Sequence, residues 1–421
     1  MACWRQGVQL KGARIVGHLD LELATLRCPL RLDTCYLDHP EPVNVNYAIV
    51  PLLEFIGCHL AGLTGGRLTT ANELDLRDSI IAGPVMLNFA DIGSNVICSG
   101  SKLTGVEADG GALSADGAKV GGSILLDGAV TEAGAVSLNS ADIAGYLICS
   151  GARLTGVDAD GAALSAEGLK VRGSLLLNEA FTAAGSVILT GADIGGTFLG
   201  TGAKIAVTEG TYALAADGLK VGALVLDGLT ADGTVTLNSA DVVGMMSCTG
   251  ARLSGSVTYP VEVAESVSNV RVALAALGIR VGTALIMDGL AAEGLVSLNH
   301  SDISGTLSLT GARLTVPAGN DALLAESIKV GGNVLLHSQF TAEGTVKLPR
   351  AHISGEFCLH DAKLAGRNGA MALDGSGMTI RSDMLSWTCC RLAGRTEAVV
   401  ELGRGGGAWH MPTRSQRRLR R

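Results

Sequence analysis

From Val85 onward one phrase returns at two alternating intervals, the first shorter than the second. Residues Ala118 to Ala129 align with Ala141 to Ala152, and the next copy opens at Leu169. The full unit is therefore 51 residues long and consists of two unequal halves. A repeat of this kind constrains the fold before any single residue is interpreted. Within each half, apolar residues alternate over only two or three positions, as in Val136 and Leu138 or Leu147 and Cys149, before Gly, Ser, Asn or Asp intervenes. That is a strand period, with no helical one sustained.

Strands this short cannot bury an apolar side in a hairpin. Coils stacked on one another give every backbone amide a partner and enclose a continuous apolar column. The expected fold is all-β: a single-stranded right-handed parallel β-helix, or solenoid, with alternating coils of about 23 and about 28 residues. Aromatics at 3% and 58 glycines suit a narrow lumen of Val, Ile, Leu, Ala and Cys with glycine at the corners. Triangular and square coils both fit the spacing.

If each half is one coil, the residue before each recurrent Val or Ile joins a vertical column: Lys119, Asp142, Lys170, Asp193, Lys220, Asp241, Arg280, Asp302, Lys329 and His352. Opposite charges alternate along it, as neighbouring strands ~4.8 Å apart would require. Exposed pairs contribute only ~0.2–1 kcal/mol each, so the ladder is read as fixing register. A second, basic set recurs once per repeat unit at Lys102, Arg153, Lys204, Arg252, Arg313 and Lys363. It reads as a solvated face in preference to an anion-binding stripe.

Three regions follow. Residues 1–84 are expected to form irregular coils and a cap, loosened by Pro29, Pro40, Pro42 and Pro51 and closed by Tyr36, Tyr47 and Phe55. Residues 85–403 form the regular β-helix. Residues 404–421, with six arginines and no acid, are expected to be disordered and suited to an acidic membrane surface. No apolar signal core follows Met1, so a cytoplasmic location is expected, with the basic tail suited to a peripheral place on the inner face of the plasma membrane. A net charge of −8 argues against a nucleic-acid partner.

Cys98, Cys149 and Cys248 share a repeat position with Leu309 and Leu359, so they read as small inward hydrophobes. Cys389 and Cys390 are adjacent, and one of them should face outward. Neither a disulfide framework nor a Cys-x-x-Cys zinc site is expected.

The surplus residues of each longer half follow Leu103, Leu154, Ile205, Leu253, Leu314 and Leu364, which predicts loops stacked on one side. The fourth is extended from Ser254 to about Val272. Ser254, Tyr259, Pro260, Glu262 and Glu265 are the candidate interaction residues, toward a protein partner or a second copy of the chain. Asp158 and Asp160 lack the remaining oxygen ligands of a calcium loop.

Two outer columns carry acids: Asp127, Asn178, Asp227, Asp288 and His337, and Asp116, Glu167, Asp217 and Glu326. All are periodic, whereas an active site breaks a periodicity, so no catalytic residue is assigned. His337, His352 and His360 cluster late in the chain, with His300 one unit earlier. Their spacing matches no compact metal motif. No nucleotide loop or nucleophile elbow occurs, and no cofactor or metal site is expected.

The phrases Ala141-Asp142-Ile143-Ala144-Gly145 and Ala192-Asp193-Ile194-Gly195-Gly196 resemble the pentapeptide-repeat family, which implies a square right-handed β-helix. The recurrence of Gly with Val or Ile is similar to the bactofilins, shorter cytoskeletal β-helices that polymerise through their ends. The whole chain resembles long actinobacterial β-helix repeat proteins often labelled oxidoreductase or membrane-associated oxidoreductase, which implies the architecture and a membrane neighbourhood. The function expected is a non-enzymatic scaffold presenting a loop row. The alternative is a carbohydrate-active or redox enzyme working in an outer groove near His337 to His360.

Overall fold

The computed structural model describes residues 7–105, 110–207, 211–263, 266–317, 320–366, 371–381, 385–386, 391–393, 395–397, 399–402 and 408–410. Among them every regular element is a strand. The chain divides into two compact units, Met1–Val207 and Thr208–Arg421. Each is a parallel β-solenoid.

One coil of the first unit shows the plan. Four short strands follow in order: Lys119–Val120, Ile124–Leu125, Val130–Thr131 and Ala135–Ser137, hereafter legs one to four. The next coil repeats them at Asp142–Ile143, Leu147–Ile148, Arg153–Leu154 and Ala162–Ser165. Each strand pairs in parallel with its equivalent one coil on, Lys119 opposite Asp142 and Asp142 opposite Lys170. Legs one and two belong to one sheet, and run as a single strand in Asp193–Leu199 and Lys220–Val225, while legs three and four each form a sheet of their own. In this unit the leg-one column runs Asp91, Lys119, Asp142, Lys170, Asp193, with the long and short steps alternating as the repeat requires.

Two corners of each coil turn through a left-handed residue, one before leg one and one before leg three. Gly117 (φ +63°) shows why glycine is favoured there. Its backbone lies in the region where a Cβ is strained, and a Cβ would also stand 2.8 Å from the Phe89 ring. Elsewhere Ser, Asp or Arg takes the corner, as at Ser140 (φ 56°) and Arg350 (φ 55°).

The lumen is apolar, but aromatic residues are not excluded from it. Phe55, Phe181, Phe198, Phe340 and Phe357 are fully buried. In the corner column Phe181 lies between Ala152 and Ala203, and Phe340 between Ala312 and Ala362, each link closed by a backbone hydrogen bond. A large ring thus alternates with small alanines along the column, as a close-packed interior favours. Cys98, Cys149 and Cys248 also face inward, and burial pushes their thiols up to about 12. They behave as hydrophobes, as their exchange with Leu implies.

The first coils are more regular than their prolines suggest. Val8–Lys11 pairs with Leu30–Asp33, which pairs with Leu53–Ile56 in unbroken register. Pro29, Pro42, Pro51 and Pro84 stand at corners just before a strand, where no ladder N–H is needed, and each offers its carbonyl to another coil or side chain. Of the expected cap aromatics only Phe55 is inside. Tyr36 and Tyr47 are about half exposed, at 49% and 53%, because each stands on the outward phase of its coil.

In the second unit the leg-one column runs Lys220, Asp241, Arg280, Asp302, Lys329, His352, Thr379. The alternation of charge is present, yet among the described residues of this column only Arg280 and Asp241 close to an ion pair, at 3.1 Å. Lys220, Asp302 and Lys329 are exposed to solvent.

Candidate functional site

The outer acids are parts of the scaffold. Asp116 Oδ1 accepts the backbone N–H of Asn139 at 2.7 Å and the Ser137 hydroxyl at 2.6 Å. Asn88 does the same for Asp116 and Ser114, and Asn139 for Glu167 and Ser165. In the second unit Asp217, Asn238 and Asn299 accept from the N–H groups of Asn238, Leu277 and Glu326 at 2.8, 3.0 and 2.8 Å. The Asp127 column repeats the device: Asp127 accepts from Ser99, Asp227 from the Thr249 N–H and Asp288 from the Thr310 N–H. Asp116, Asp217, Asp227 and Asp288 each accept a backbone N–H and a hydroxyl from the next coil, so these carboxylates tie consecutive coils together.

Other sequence candidates resolve similarly. The Asp158 carboxylate accepts the N–H groups of Asp160 and Ala162, at 2.9 and 2.8 Å, and closes its own turn. The basic set on leg three alternates with neutral residues, as in Lys102, Val130, Arg153, Thr182 and Lys204. Lys102 is paired with Glu132 at 2.8 Å, so the face is solvated and mixed in sign. His337 and His360 sit on adjacent coils at the corner after leg two, linked through the Ser338 N–H and the His360 carbonyl. His352 stands on leg one, a whole strand away along the coil. Among the described residues no group of three or more His, Cys, Asp or Glu is placed to hold a metal.

All surplus segments fall at one corner, between legs three and four. The fourth departs from its expected form: it is a β-hairpin, not a loop. Thr258–Val263 pairs antiparallel with Ser266–Arg271, Thr258 opposite Arg271 and Val263 opposite Ser266. The returning strand continues as Ser266–Ala275 into leg four, where Leu274 takes its place between Val235 and Val296. Ser254 ends leg three, paired with Asp232 and Glu293. Tyr259, Pro260 and Glu262 lie on the outgoing strand, while Glu265 lies outside the described residues. Cys389, Cys390 and 404–421, apart from Ala408–His410, also lie outside them. No helix of the described residues is long and apolar enough to cross a membrane.

The hairpin base is pinned by Thr234, a fully buried residue that sequence reasoning missed. Its hydroxyl donates to the Val272 carbonyl at 2.6 Å and accepts the Val257 N–H at 3.0 Å. Beside it, Val270, Val272, Ala275 and Leu295 form an apolar cluster joined by Leu324. The coil carrying the hairpin has Ala275 and Leu277 where the coil before has Thr236 and Asn238 and the coil after has Ser297 and Asn299. The result is a cavity of about 220 Å³ floored by Val272, Ala275, Leu277 and Leu295, with Asn238 and Asn299 at its rim. Leu277 is 45% exposed.

The fold and this site define a parallel β-solenoid with one hairpin insertion over an outer apolar cavity. No family model matches the chain, and comparison with curated proteins and with solved structures likewise gives no match.

Proposed function

We propose that the protein is a non-enzymatic scaffold that holds a protein partner at the hairpin and the apolar cavity beside it. One observation carries this reading. An inserted antiparallel hairpin coincides here with Ala275 and a half-exposed Leu277, at positions held by Thr236 and Asn238 one coil before and by Ser297 and Asn299 one coil after. Exposed apolar surface rimmed by amides is the composition of an interaction patch. Among the outer acids, Asp116, Asp217, Asp227 and Asp288 are engaged in joining coils.

The test compares the intact chain with one in which 257–270 is replaced by a turn of the length found at 156–161. Both are used as bait, with Leu277→Asp as a second variant that keeps the hairpin. A partner retained by the intact chain and lost from both variants is expected. An identical set of bound proteins on all three would contradict the reading.

A further inference from the structure

The last regular coils of the second unit break the leg-one pattern in another place. Up the column, Asp302 and Lys329 are followed by His352 where alternation calls for a carboxylate, and by Thr379 where it calls for a base. Two residues further along the same leg, a column of small residues, Ser304, Gly331 and Ser354, ends in Arg381. Between the two columns, over a floor of Ile303, Val330 and Ile353, lies a cleft of about 310 Å³. That volume is at the lower end of the range of ~300–1,000 Å³ usual for small-molecule sites.

Among the described residues neither the Lys329 ammonium nor the Arg381 guanidinium has an ion-pair or side-chain hydrogen-bond partner. His352 Nδ1 lies 2.9 Å from the Arg350 carbonyl oxygen. Facing an acceptor, Nδ1 must carry the proton and donate, which leaves Nε2 available to the cleft. Asp302, Ser304 and Ser354 add a carboxylate and two hydroxyls. Lys and Arg together suit a phosphate, the guanidinium through its fork of donors and the ammonium as a point charge. A carboxylate and hydroxyls at the other end suit neutral hydroxyl groups, which they can accept from.

We infer that this cleft binds a small phosphorylated polyol, its phosphate held by Lys329 and Arg381 and its hydroxyls by Asp302, Ser304 and the accepting Nε2 of His352. The site is separate from the hairpin, which lies at the corner between legs three and four. The first unit supplies an internal comparison: Lys170 and Arg172 occupy the same two columns there, but Lys170 has a carboxylate on either side, Asp142 and Asp193.

The experiment titrates the full chain calorimetrically with glucose 6-phosphate, inorganic phosphate and glucose, and measures sedimentation with vesicles carrying or lacking a phosphoinositide. Saturable binding of glucose 6-phosphate, tighter than about 1 mM, with none of glucose, is expected. Lys329→Ala with Arg381→Ala should weaken it about tenfold or more, as should Ser304→Glu, while Lys170→Ala with Arg172→Ala should leave it unchanged. Vesicle binding that needs Lys329 and Arg381, in place of the soluble compound, would identify the same chemistry as a lipid headgroup. No saturable binding to any phosphate probe, or binding indifferent to both cleft variants, would overturn the inference.

Discussion

At the scale of single residues, polar groups in this chain act mostly between coils. Asp321 is a buried case, a carboxylate that receives Lys347 Nζ from the next coil at 2.9 Å. Burial raises its pKa, and the Lys347 bond only partly offsets that. Between the ordinary carboxylate value and the raised folded one, folding takes up a proton, so stability falls as pH rises through that window. Relative to Asp321→Asn, the native chain should gain stability on going from neutral pH to about pH 4. Urea midpoints of the two proteins at each pH measure this, and a constant difference would show that Asp321 does not titrate abnormally. The repeat made such outward acids visible but not their bonds. Asp116 and Asp217 are periodic in the sequence, and only the coil stacking shows that they accept backbone N–H groups one coil away. Thr234 gave no signal, because a Thr in an alternating strand looks like any other.

At the scale of elements, the strands and corners were legible from short alternation and glycine spacing. The hairpin was not. Thr258 to Val263 is itself rich in β-formers, but Pro260 and the neighbouring acids read as loop, and the coils otherwise pair in parallel up to Val399–Leu402, which pairs antiparallel with Ala408–His410. The early prolines were misjudged for the related reason that spacing alone does not say which residues fall at corners. If Thr234 pins the hairpin base, Thr234→Val keeps the shape of the side chain but leaves the Val257 N–H and the Val272 carbonyl without that hydroxyl. A loss of about 1–3 kcal/mol is expected, concentrated at the base. Hydrogen exchange at the Val257 amide should rise well above that of the Leu274 amide. Equal protection in both proteins would remove Thr234 from this role.

At the scale of the whole molecule, one arithmetic fact assigns every face: coils of alternating length return equivalent residues to one column. It holds through Asp91, Lys119, Asp142, Lys170 and Asp193 and survives in the second unit despite the hairpin, which lengthens a coil without disturbing leg one on either side. Insertions are tolerated at one corner because a surface loop adds little closure entropy there. The candidate sites are recognisable only against this regularity, as places where it lapses. The most direct measurement is disulfide formation in chains carrying Lys119→Cys with Asp142→Cys, against Lys119→Cys with Asp127→Cys. Paired strands hold equivalent Cα atoms ~4.8 Å apart, inside the disulfide range of ~4.4–6.8 Å. The buried thiols of Cys98, Cys149 and Cys248, pushed up to about 12, will not compete. Mild oxidation should link the first pair, separated by one whole coil of chain, and leave the second, far nearer in sequence, free. Linkage of the second pair and not the first would contradict the coil assignment on which the faces depend.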